Sequence, residues 1–288
     1  MSRAVASRRD RAGARLRHVL RYLITGVLAL VYASPVLYMV LGSLEPSENV
    51  LSGLRAFTPN TLTTANYPHL TARFHSADTG YFWGFFAVSV VVATTVVVGG
   101  LAINSLAGYA LARLRWAGRD AVLTVIVALA VVPFEALAVP LFFLLAGLRD
   151  TIAVQALPFL GNAFTIYLFQ SFFRSLPTEI EEAAKLDGAG PLRIFFLIIV
   201  PMSKPVFASA AILTFLTQWT SFLWPVLMIS DPTVRPLPLA ISVFQGNPPY
   251  DWGAIMAFGV VMVAPVLIVF LLFQRWFVRS IADSAIQG

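Results

Sequence analysis

Long apolar runs alternate with short polar stretches along this chain. Six runs, at about 22–44, 82–109, 121–147, 151–173, 206–230 and 253–277, each hold the roughly 20 apolar residues that a helix needs to cross a bilayer. Each run is predicted as a transmembrane helix. Inside them stand Pro133, Pro140, Pro158, Pro225 and Pro265, with Gly99, Gly100, Gly147, Gly161 and Gly259. Membrane helices tolerate such residues when neighbours satisfy the freed backbone groups, and small residues let helices approach closely. The pattern fits a transporter that rocks and a rigid bundle alike. No internal repeat is visible.

Residues 174–205 interrupt this pattern between the fourth and fifth runs. Pro177 closes the run before it. Thr178-Glu179-Ile180-Glu181 reads as a capping box, with Thr178 as N-cap and Glu181 three residues on. The predicted helix, Glu179–Leu186, should stop at Gly188, because glycine adopts a left-handed backbone at little cost. Pro191 suits the first position of a second helix, which runs to Pro201, and Pro205 opens the fifth run. Local chemistry thus predicts helix, sharp turn, helix.

Composition narrows the class. Hydrophobic residues make up 58% and charged residues 12%, about half the charge that a water-facing surface carries. The net charge of +6 would fit nucleic acid only if it were gathered on one soluble face. Instead, with the N-terminus inside, sixteen Arg and Lys fall on the cytoplasmic side and only Arg55, Arg73, Arg149 and Arg235 outside. That bias places both termini in the cytoplasm. The basic segment 1–21 lies against anionic headgroups in this reading, and 22–288 form one six-span domain. The first run is too long for a signal peptide and lacks a small-residue cleavage site, so it is read as an uncleaved span. Cysteine is absent, which excludes disulfides and thiolate chemistry.

Few residues offer chemistry. Glu135 falls near the middle of the third run, where a carboxylate is costly and should face the interior or a wet cavity. Asn104, Gln170 and Gln218 can hydrogen-bond a solute or link helices, and Trp219, Phe222 and Trp224 can stack on a sugar ring or pack against helices. Glu135, Asn104, Gln218, Trp219 and Trp224 are the substrate-pathway candidates. No phosphate-binding glycine loop precedes Lys185 or Lys204, so no ATP site is expected on this chain. His69, His75 and Asp78 fit no metal-ligand spacing. The residues therefore point to a non-catalytic chain with no catalytic residue, bound cofactor or metal.

The segment Glu182-Ala183-Ala184-Lys185-Leu186-Asp187-Gly188-Ala189, followed in register by Phe195, Ile198, Pro201 and Pro205, resembles the EAA coupling loop of ABC-importer permeases. Most of the chain carries the likeness further. Asn104-Ser105-Leu106-Ala107-Gly108-Tyr109-Ala110-Leu111-Ala112-Arg113, Pro133-Phe134-Glu135, Gln218-Trp219-Thr220-Ser221-Phe222-Leu223-Trp224-Pro225, Arg235-Pro236-Leu237-Pro238 and the outer pair Asn66-Tyr67 are similar to segments of the carbohydrate-uptake (MalG-like) permeases. Departures are Thr220 in place of Asn, Gln170 in place of Arg, and a tail ending Gln287-Gly288 in place of Lys-Gly.

The resemblance implies an all-α, six-span type I importer permease in the inner or plasma membrane of a prokaryote. It implies a second permease, a cytoplasmic ATPase dimer that uses ATP and Mg, and an extracytoplasmic solute-binding protein. Glu182, Ala183, Ala184, Asp187 and Gly188 would couple the ATPase to the channel: Glu182 by an acidic docking contact, the alanines by allowing close approach, Gly188 by the turn and Asp187 by fixing it. The implied substrate is a di- or oligosaccharide or an amino sugar. Glycerol phosphate is the alternative within transport, and a membrane scaffold or intramembrane enzyme the alternative outside it.

Overall fold

A computed structural model describes residues 2–53, 62–242 and 250–286, with side chains from 18 to 273 within those ranges. Arg55 and the Gln287-Gly288 end lie outside the described residues, as do the side chains of the basic segment up to Arg17. The chain packs as two units, Met1–Leu70 with Pro249–Val261, and Thr71–Pro248 with Met262–Gly288.

In the first unit α1, Ser2–Ser43, runs unbroken from the basic segment through the first apolar run. Helix α2, Asn66–Ala72, begins with the Asn-Tyr pair. Buried Asn66 donates through Nδ2 to the carbonyls of Ser43 (2.9 Å) and Glu45 (2.7 Å). Gly253 sits so close that a Cβ there would collide with the Asn66 side chain. The hydroxyls of Ser43 and Tyr67 lie 3.0 Å apart. Buried Asn66, with half-buried Tyr67 beside it, clamps this corner, because an amide can satisfy two carbonyls released at a helix end.

The second unit begins with a two-stranded hairpin, β1 (His75–Ser76) and β2 (Gly80–Tyr81). Helix α3, Phe82–Arg113, follows as the axis of the unit. Around it pack α6 (Ile152–Leu160), α7 (Ala163–Ser175) and α10 (Lys204–Trp219). Gly99, Gly100 and Gly108 allow this approach. A Cβ on Gly108 would lie 2.6 Å from Phe169 Cβ, and one on Gly99 2.8 Å from Leu160 Cδ2. Helices α4 (Arg119–Leu129) and α5 (Phe134–Leu144) pack little of their surface: α4 has no buried residue and α5 only Ala138.

Among the described residues, three helices are long and apolar enough to span a bilayer alone: His18–Ser43, Phe82–Arg113 and Trp252–Phe273, the last within α12 (Trp252–Ile286). Three further spans arise if bent pairs count as one, namely α4 with α5 (102°), α6 with α7 (41°), and α9 (Pro191–Met202) with α10 (81°). The protein is thus an all-α, multi-span membrane fold apart from its two-residue strands.

Each bend has a local cause. Pro133, in extended backbone, opens α5. At Gly161 the freed backbone is satisfied by Asn104, which donates to Leu160 O (3.1 Å) and accepts from Asn162 N (3.0 Å). Pro201 and Pro205 cannot donate, so the helical ladder widens to a π turn at Phe195–Ile199 and breaks at Ser203. The predicted span 206–230 ends early, at Trp219, and resumes as the short α11, Leu223–Met228. There the Thr220 hydroxyl donates back to Leu216 O (2.8 Å), a bond that bends helices, and Pro225 supplies no N–H.

Candidate functional site

The polar segment between α7 and α10 folds as helix, turn, helix. Helix α8, Glu179–Leu186, carries three acidic residues in its first turn and Lys185 in its last, matching the helix dipole at both ends. It ends in a Schellman turn. Gly188 N donates to Lys185 O (3.0 Å) and Ala189 N to Ala184 O (2.9 Å), with Gly188 at φ 80°. A side chain at that φ is strained, so glycine is required. Gly190 in extended backbone and Pro191 then start α9.

The capping box does not form. Thr178 has helical backbone angles and its side chain caps nothing. Glu181, expected to reach back to the N-cap, is instead the one buried residue of α8. Its Oε1 lies 3.0 Å from Nε of Arg113 at the end of α3, with side chains only 5% and 7% exposed. The two groups lie off the hydrogen-bond line, so their attraction is Coulombic. Burial strengthens that attraction over any bond Glu181 would make to an exposed backbone N–H.

Arg113 does more than pair. Its Nη2 donates to Phe173 O (2.6 Å) and Leu176 O (2.5 Å), carbonyls at the end of α7. One turn earlier on α3, Tyr109 donates its hydroxyl to Pro191 O at 3.2 Å. Beneath the loop lies an apolar cluster of Tyr109, Phe169, Phe173, Ile194, Phe195 and Ile199, with Ala184 and Ala189 at its margin. Sequence reasoning missed Tyr109 and Arg113 as site residues. Their four-residue spacing puts both on one helix face, but Arg113 reads equally well as a topology marker.

The outer face of α8 is free. Glu182, Ala183, Lys185, Leu186, Asp187 and Gly188 are exposed, with Leu186 at 91%. The Asp187 side chain makes no hydrogen bond or ion pair among the described residues; backbone bonds hold the turn. Beside α8 an open polar cleft of about 620 Å³ is lined by Arg113, Arg115, Arg119, Glu181, Glu182 and Lys185.

The substrate-pathway candidates do not converge. Glu135 is exposed in the first turn of α5, beside the sharpest bend, rather than facing the interior of the chain. The acid is exposed there because α4 and α5 bury almost none of their surface within this chain. Asn104 serves the α6–α7 break as described. Trp219 and Trp224 are buried, with their indole N–H groups donating to Met262 O (2.9 Å) and Val154 O (2.8 Å). Their rings contact Phe86 and Phe215, and Phe134, so they form core in this conformation. Gln218 donates weakly to Gln155 O (3.4 Å) and lines a small cavity of about 160 Å³ with Asn162, Thr165 and Thr217. Gln170 is buried and Phe222 exposed. Among the described residues no three His, Asp or Glu side chains gather as a metal site.

The described residues thus form a many-helix membrane fold with a polar helix–turn–helix between α7 and α10. Residues 104–283 match the family described as binding-protein-dependent transport system inner membrane component. The chain belongs to that family, the permease subunits of ABC importers, in its carbohydrate-uptake (MalG-like) branch.

Among curated relatives, it is 29% identical to the arabinooligosaccharides transport system permease protein of Halalkalibacterium halodurans, over 94% of this chain and 98% of that one. It is 31% identical to the lactose transport system permease protein of Rhizobium radiobacter, over 94% and 97%. It is also 31% identical to the sn-glycerol-3-phosphate transport system permease protein of Yersinia pestis, over 91% and 94%. Its fold superposes with a TM-score of 0.77 on a chain of a bacterial ABC transporter involved in the import of alginate, at 23% identity over 91% and 97%.

Proposed function

We propose that this chain is the six-span permease half of an ATP-driven sugar importer, with both termini cytoplasmic. The exposed α8 face is the docking surface for a cytoplasmic ATPase. The observation that carries this reading is the division of labour on α8: Glu181 is buried against α3, while Glu182, Ala183 and Leu186 face outward on a turn that only glycine closes. A helix anchored on one side and bare on the other can take a push from a partner and pass it to the membrane helices. Glu182 offers a charged contact, which is stronger than a neutral one, and Ala183 leaves room for close approach.

A second permease completes the pathway in this reading. The near absence of buried residues on α4 and α5, together with exposed Glu135 beside their bend, supports a partner surface there. A solute-binding protein delivers the substrate outside, and the ATPase dimer binds ATP and Mg. Two of the relatives named above carry sugars by their names. A physical observation also favours a neutral solute over glycerol phosphate: no Lys or Arg falls in the middle of any apolar run, whereas Glu135 does. A phosphate dianion in a low-dielectric path would call for a cation there.

Gentle affinity purification from native membranes tests the assembly. Recovery of a P-loop ATPase, a second permease and a solute-binding protein is the expected result, and ligand screening on that binding protein then separates sugars from glycerol phosphate. Elution of the chain alone, under conditions that keep such complexes together, would remove the importer reading.

A further inference from the structure

We infer that Tyr109 and Arg113 are positioning residues that clamp both arms of the α8–α9 loop to the end of α3, so that α8, the end of α7 and α3 move as one body. The inference rests on the coupling role proposed for the loop and says where its motion goes. Three observations carry it. First, Glu181 is the one buried residue of α8, so the helix is held to the protein mainly through its pair with Arg113, with Ala184 and Ala189 adding only partial burial.

Second, the same guanidinium donates to Phe173 O and Leu176 O, which fixes its plane and holds its charge 3.0 Å from Glu181. A lysine ammonium is a point charge and cannot hold that fork of partners. Third, Tyr109 takes the other arm through Pro191 O, and its ring lies 5.2 Å from Phe195 in the π turn. One face of one helix turn therefore holds the start of both loop helices. A push on the bare side of α8 reaches α3 through a charged, largely buried contact. The second span, rather than the bent corner at Ser203, is then the first membrane element to respond.

The test uses the whole importer, with its partner permease, ATPase and binding protein, in proteoliposomes. In Arg113→Lys and Glu181→Gln the ATPase is expected to stay bound and to hydrolyse ATP. Solute moved per ATP should fall by an order of magnitude or more, with partial recovery in Glu181→Asp. Because the chain contains no cysteine, an R113C/E181C double variant carries the only thiol pair in the subunit. Bridging that pair with a short bifunctional thiol reagent should restore uptake lost in the unbridged form.

Uptake blocked by the bridge would mean that α8 slides against α3 during transport, and the inference falls. It falls also if Arg113→Lys and Glu181→Gln transport with unchanged coupling, or if the bridge rescues nothing in a complex that still holds its ATPase. Loss of the coupling reading itself looks different: the unmodified chain would recover no ATPase, or Glu182→Ala would leave ATPase binding and uptake intact.

Discussion

Glu181 shows how a single residue changes meaning between chain and fold. Thr178-x-x-Glu181 carries the spacing of a capping box, and the local alternative was a bond to an exposed backbone N–H. The Arg113 side chain arrives from 68 residues earlier in the sequence and wins because both charges are buried. Removing one partner would strand the other, a loss of about 3–5 kcal/mol in typical buried pairs. Gly188 is the opposite case, since its left-handed backbone follows from the local turn alone. Gly188→Val should abolish uptake while membrane insertion, read by protease protection, stays normal; full uptake would show that the turn can be built otherwise. Asn104, which the sequence left open between a solute contact and a helix link, satisfies the break at Gly161. Asn104→Leu should lower the unfolding temperature in detergent, since about 1–3 kcal/mol is lost for each buried group left unpaired. A change in solute preference with unaltered stability would return Asn104 to the pathway.

Elements show where apolar patterning stops being enough. The runs marked His18–Ser43, Phe82–Arg113 and Trp252–Phe273 to within a few residues, whereas the third and fourth fall on bent pairs and the fifth, expected at 206–230, is displaced to the bent pair Pro191–Met202 and Lys204–Trp219. Prolines and Gly161 placed the weak points, but the 102° and 41° bends differ because Asn104 holds the second one together while nothing comparable among the described residues crosses the first. Between α5 and α6 the corner is fixed by Asp150, which has φ 56° and accepts from Ser230 N and Asp231 N. Those backbone donors hold its carboxyl below the usual carboxylate value. A lowered folded value means that the contribution to stability is full above the unfolded value and is lost as pH falls through the folded one. Asp150→Asn should therefore remove an acid-side step from the stability profile followed by thermal unfolding at stepped pH. An identical acid limb in the variant would show that the corner does not depend on the charge.

For the whole molecule, the exposed surface of α4 and α5 is the open question of assembly. Co-expression with the second permease should raise the unfolding temperature of this chain, as binding to the folded state alone requires, and Glu135→Gln should change solute preference in the assembled importer. An unchanged unfolding temperature would leave lipid as the cover of that surface. By itself the sequence determined that this is a many-span membrane chain and that the 174–205 segment is a helix–turn–helix with its turn at Gly188. Hydropathy and backbone preference act over a few residues and survive without tertiary context. The tertiary structure decided which polar groups are buried together: Asn66 with the end of α1, Asn104 with the break before Asn162, and Arg113 with Glu181. Such pairings depend on which side chains meet in a low-dielectric interior, and distance along the chain carries no record of that meeting.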